Sequence, residues 1–155
     1  MYDVVAIGEL LVDFACRSTD DDGYPVLAAH PGGAPANFLA VLARYGLKTA
    51  LLAKVGNDAF GRLLRRTVER EGIDTAGVVV DDAAFTTLAF VTLDENGERD
   101  FSFARKPGAD MLLRYDELDL SLIDRTRVFH FGSVSMTDEP SRDATRRAAA
   151  YARSR

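Results

Sequence analysis

Hydrophobic and polar positions alternate between two rhythms along this chain. Residues 4–7 (Val-Val-Ala-Ile) form a short apolar run closed by Gly8, and 49–55 form a longer one; both predict buried parallel strands. Between them, residues 34–45 carry Phe38, Val41, Leu42 and Tyr45 at helical spacing, and Gly46 closes the helix. Asp58 is placed to N-cap a second helix whose apolar face is Phe60, Leu63, Leu64 and Val68, ending at Gly72. Strands are predicted at 78–80 and 128–131, short helical turns after Pro107, and a final amphipathic helix over 139–152.

Four further β-rich runs do not fit that alternation. Residues 10–16 and 26–30 flank the turn at 20–23, and residues 87–93 and 99–103 flank Asn96-Gly97, a strong hairpin signal. The strand–helix repeat predicts a mostly parallel α/β sheet with helices on its faces. The extra strands, within about 11–30 and 87–104, are assigned to a small separate sheet projecting from that layer.

Composition narrows the chemistry. At 155 residues the chain is long enough to bury a core, and a net charge of −5 argues against nucleic acid or an anionic membrane as the main partner. One cysteine, Cys16, makes no internal disulfide and fits a reducing compartment; with no apolar run near membrane length, a cytoplasmic protein is expected. Asp20-Asp21-Asp22 reads as a solvated turn. Phosphate-loop, dinucleotide and nucleophile-elbow motifs are missing, as is any His/Cys metal spacing.

The stretch 31–37, Pro-Gly-Gly-Ala-Pro-Ala-Asn, carries the most chemistry. Adjacent glycines let backbone approach a ligand, Pro35 suits a first helical turn, and Asn37 adds an amide donor and acceptor. Such a loop-to-helix junction suits a polyhydroxylated or anionic small molecule.

Taken with 8–14 (Gly-Glu-Leu-Leu-Val-Asp-Phe), 55–61 (Val-Gly-Asn-Asp-Ala-Phe-Gly), 101–105 (Phe-Ser-Phe-Ala-Arg) and 130–133 (His-Phe-Gly-Ser), this junction closely resembles the ribokinase-like, or PfkB-type, carbohydrate kinases and their fructokinase branch. The resemblance runs over the whole chain. It implies a ribokinase-like sheet with a small β-sheet lid, ATP and Mg²⁺ as cofactors, and phosphorylation of D-fructose to fructose 6-phosphate. It implies that Asp13 accepts hydrogen bonds from the sugar, that Gly32, Gly33 and Asn37 line its bed, and that Phe90, Phe103 and Arg105 lie at the lid beside it. Each has a plainer alternative: a turn-capping carboxylate, a tight turn, a helix-start amide, sheet packing, a surface arginine. Lids of this family often pair between subunits.

Two positions depart from the pattern: Ala104 stands where fructokinases usually carry an aromatic residue, and Leu39 where a small residue is usual. The family's catalytic aspartate, in a Gly-Ala-Gly-Asp motif, and its nucleotide site lie in the second half of longer chains. The expectation is therefore a truncated, N-terminal part of a sugar kinase domain that carries no catalytic base and no metal site and is inactive alone. Asp110, in Pro-Gly-Ala-Asp, is not expected to serve as that base. The competing readings are a non-catalytic sugar-binding or regulatory protein of the same fold, and a kinase of another sugar such as 2-keto-3-deoxygluconate.

Overall fold

The computed structural model describes residues 1–93 and 99–155; the expected Asn96-Gly97 turn lies outside them. Strands β1 (Tyr2–Ile7), β4 (Thr49–Gly56), β5 (Ile73–Asp74), β6 (Val78–Asp81) and β9 (Thr126–Phe131) form a parallel sheet ordered β5-β4-β1-β9, with β6 also on β4. Strand alternation sends its side chains to two cores. Val4 and Ala6 of β1 join Leu51, Ala53 and Val55 of β4 against helices α1 (Ala34–Arg44) and α2 (Ala59–Arg70). Val5, Ile7, Ala50 and Leu52 face the other way, onto Leu122 and Ile123 of the short α3 (Leu120–Asp124) and Ala148 of α4 (Ser141–Arg153). Ile7, Leu39, Leu51, Leu52 and Leu64 are fully buried, each worth about 1.5–3 kcal/mol relative to exposure.

Asp58 caps α2 as expected, its Oδ1 accepting from the Phe60 and Gly61 N–H groups. Of the apolar face expected for α1, Leu42 packs against the core, but the rest is corrected. Phe38, Val41 and Tyr45 are exposed, and the buried face is Pro35, Ala36 and Leu39. Small residues let this helix lie close to the sheet, and Leu39 belongs to the core. Phe38 instead packs on His130 of β9, ring centroids 4.5 Å apart.

The extra strands form the separate four-stranded sheet, ordered β3-β2-β7-β8, from β2 (Leu11–Thr19), β3 (Pro25–Gly32), β7 (Leu88–Leu93) and β8 (Arg99–Ala104). The two hairpins β2–β3 and β7–β8 are antiparallel, and β2 joins β7 in parallel. Asp20 closes the first turn, its Oδ1 accepting from the Asp22 and Tyr24 N–H groups. Because β3 runs through Gly32, the glycine pair sits where the small sheet ends and α1 begins.

Candidate functional site: the glycine junction and the inner face of the small sheet

Gly32 and Gly33 are glycines for different reasons. Gly33, the N-cap of α1, has φ +110°, and a Cβ there would stand 2.3 Å from the Glu9 carbonyl oxygen. At Gly32 a Cβ would stand 2.2 Å from Asp13 Oδ2, so the carboxylate lies directly against this stretch of backbone. Asp13 is half-buried, and among the described residues no N–H or O–H donates to it. Burial raises its carboxyl above the ordinary value, while nearby His30 draws it down. Asn37 is exposed on the first turn of α1; its backbone N–H donates to Gly33 O at 3.0 Å. It shares with Gly32 a groove of about 110 Å³.

Register places one row across the small sheet: His30, Asp13, Ala89, Phe103. Asp13 faces His30 in the antiparallel β2–β3 ladder, and Ala89 faces Phe103 across β7–β8. Phe103 and Phe101 stack, ring centroids 6.1 Å apart, and both are about half exposed. This face therefore combines a carboxylate with a partly open aromatic surface.

Phe90 does not belong to it. It stacks on Phe14 at 5.4 Å, and Phe14 packs edge-on against Phe60 of α2, so Phe90 points to the opposite face from Asp13. The expected lid contact from Phe90 is corrected by period-2 alternation. Ala104 pairs with Leu88 in that same alternate register, so this departure from the fructokinase pattern also lies away from Asp13.

Arg105 is engaged by protein. Its Nε donates to Asp110 Oδ2 at 2.9 Å, Nη2 lies 2.8 Å from the same oxygen, and Nη1 donates to Thr137 Oγ1 at 3.4 Å. Asp110 is buried and also accepts from the Thr87 hydroxyl. A carboxylate so satisfied, with its charge neutralised by Arg105, is not available to abstract a proton. Among the described residues no three His, Cys, Asp or Glu side chains stand together as a metal cage.

Two charged residues escaped the sequence reading. Glu9 is only 3 % exposed. Its Oε1 accepts the Ala34 N–H at 2.9 Å, fastening the free N-terminus of α1, while Oε2 is buried without a partner among the described residues. Burial raises this carboxyl too. Lys54, inside the fully buried β4, donates to Glu117 Oε1 at 2.7 Å and to Leu112 O at 3.1 Å, and its Nζ lies 3.1 Å from Asp81 Oδ2. A charge inside an apolar run was the signal available for both, since such a group must find a partner.

The pfkB family carbohydrate kinase profile matches residues 1–155. Fructokinase-1 of Zea mays is 47% identical over 147 residues, covering 94% of this chain and 46% of the maize protein. Probable fructokinase-3 of Arabidopsis thaliana is 45% identical, covering 91% of this chain and 41% of that protein. Among solved structures, fructokinase from Xylella fastidiosa superimposes with TM-score 0.93 at 33% identity, over 99% of this chain and 48% of that one. The same bacterium's fructokinase with bound ATP gives 0.91 at 32% identity, over 99% and 49%. The chain thus spans less than half the length of these relatives.

Proposed function

The chain belongs to the pfkB family of carbohydrate kinases, and from that premise we propose that it builds the sugar-binding side of a kinase for D-fructose. The observation that carries this reading is the Asp13 carboxylate. It is half-buried, laid on the backbone of Gly32, free of donors among the described residues, and one small residue away from Phe103.

Such a carboxylate accepts two hydroxyl protons at once, and partial burial strengthens those charge-assisted bonds. Gly32 and Gly33 keep the approach clear of side chains, Glu9 holds the Gly33–Ala34 corner in place, and Asn37 offers an amide to a further hydroxyl. Phe103 and Phe101 give the sugar's C–H face an apolar surface. The small sheet acts as a lid that excludes water from the reacting hydroxyl.

ATP, carried with Mg²⁺, supplies the phosphoryl group in this reading: ATP + D-fructose → ADP + fructose 6-phosphate. Asp110, held by Arg105 and Thr87, does not take the proton of the attacking hydroxyl in this reading; another base does. In this reading the chain by itself binds sugar without turning it over.

The test is calorimetric titration of the 155-residue chain with D-fructose, D-ribose and 2-keto-3-deoxygluconate, beside Asp13→Asn. Saturable binding strongest for fructose is expected, weakened by roughly 10- to 150-fold in the variant, as for loss of charge-assisted bonds. Equal binding by Asp13→Asn, or a preference for the sugar acid, would sink the reading.

A further inference from the structure

Asp13 is acceptor-only when ionised, yet each sugar hydroxyl that donates to it still carries lone pairs seeking a donor. His30 stands where such a donor is needed. It is directly opposite Asp13 in the antiparallel β2–β3 register, which places the two Cβ atoms about 4.5–5.5 Å apart on one face. The imidazole is exposed on the outer strand of the sheet and, among the described residues, makes no side-chain hydrogen bond.

Its surroundings leave the pair to itself. Same-face neighbours are Ala28 and Gly32 on β3, Leu11 and Ala15 on β2, Ala89 on β7 and Phe103 on β8, all uncharged. The downward pull of His30 on the Asp13 carboxyl agrees with close approach.

We propose that His30 is a second sugar-contacting residue that determines specificity, donating an imidazole N–H to a hydroxyl oxygen whose neighbour, or whose own proton, is held by Asp13. This rests on the sugar-binding reading above. A donor and an acceptor fixed side by side select adjacent hydroxyls of one orientation, because a sugar with the wrong epimer leaves one partner unpaired.

His130, on β9 against Phe38, is the chain's other histidine and an internal control. In an NMR titration of the labelled chain, D-fructose should shift the His30 imidazole and the Gly32 and Gly33 amides and leave His130 in place. His30→Ala should weaken fructose binding about tenfold, His30→Gln, which keeps a donor, should restore most of it, and His30→Phe should not. Among monodeoxy-fructoses, one should bind wild type and His30→Ala alike. If the Gly32 and Gly33 amides move while the His30 imidazole stays still and His30→Ala binds normally, the proposal is overturned and the sugar site stands. If no resonance responds, both fall. An unchanged amide spectrum around His130 checks that the variants fold.

Discussion

Lys54→Met tests the electrostatic reasoning most directly. The Lys54 side chain is 3% exposed and ties β4 to Asp81 at the end of β6, to Glu117, and to the Leu112 carbonyl. Methionine keeps most of the stem's packing and removes the charge, leaving Asp81 without its cation and Glu117 with only Arg114, 3.5 Å away. Losing one partner of a buried pair costs about 3–5 kcal/mol, and both acids here retain 17% exposure through which water reaches them, so roughly 3 kcal/mol is expected. That is a large share of the ~5–15 kcal/mol typical of a domain. In urea, with a slope of about 2 kcal/mol/M, the circular-dichroism midpoint should fall by roughly 1.5 M. The acid limb gives a second readout. The Ala84 and Ala83 N–H groups, followed by Lys54, lower the Asp81 carboxyl from 3.8 to about 2. A depressed acid stabilises the fold above its unfolded value and loses that contribution as pH falls through the folded one, here on the order of 1 kcal/mol, once screening by the water that reaches it is allowed for, between about pH 4 and pH 2. In Lys54→Met the backbone donors remain, so the limb should move up only part of the way. A midpoint shift under ~0.3 M, or an unmoved acid limb, would refute the argument.

Glu9→Gln keeps the acceptor for Ala34 N–H and removes a buried charge. Since burial raises the folded carboxyl above 4.5, wild-type stability should fall relative to the variant as pH rises beyond that value, read as a widening gap in melting temperature. Glu9→Ala, which frees the N–H, should be less stable than both. Asp58→Ala removes the α2 cap and the acceptor for Thr86 N–H, and should cost about 2–3 kcal/mol by urea titration. Phe103→Ala should weaken fructose binding while Phe90→Ala should lower stability and leave affinity alone; the reverse pattern would reject the assignment of faces.

Periodicity made much of the architecture legible. Apolar runs with helical segments between them marked β1, α1, β4 and α2, and breaks in that rhythm marked the strands of the small sheet. The α1 face was misread because its outward Phe38, Val41 and Tyr45 outweigh Ala36 and Ala40 in apolar bulk, whereas close packing on a sheet selects the small side. The two-residue β5 has too few positions to show a period. In the site, motif spacing pointed to Asp13, Gly32, Gly33 and Asn37, and the fold laid Asp13 on Gly32. Phe90 and Phe103 looked equivalent along the chain; only register separates their faces. Which arginine is free is likewise a matter of three-dimensional neighbours, and Asp110 occupies Arg105.

The parallel joint between β2 and β7 has a kinetic consequence. It pairs Val12–Ala15 with Leu88–Val91, strands separated by two helices and most of the main sheet, whereas β2–β3 and β7–β8 are local hairpins. Closing so long a loop carries an entropic cost before any ladder bond rewards it, so the hairpins form early and their union late. The row from His30 to Phe103 exists only after that union. A sugar held there acts on the last barrier of assembly as well as on the finished fold: it should slow opening of the β2–β7 seam more than it speeds collapse of the core.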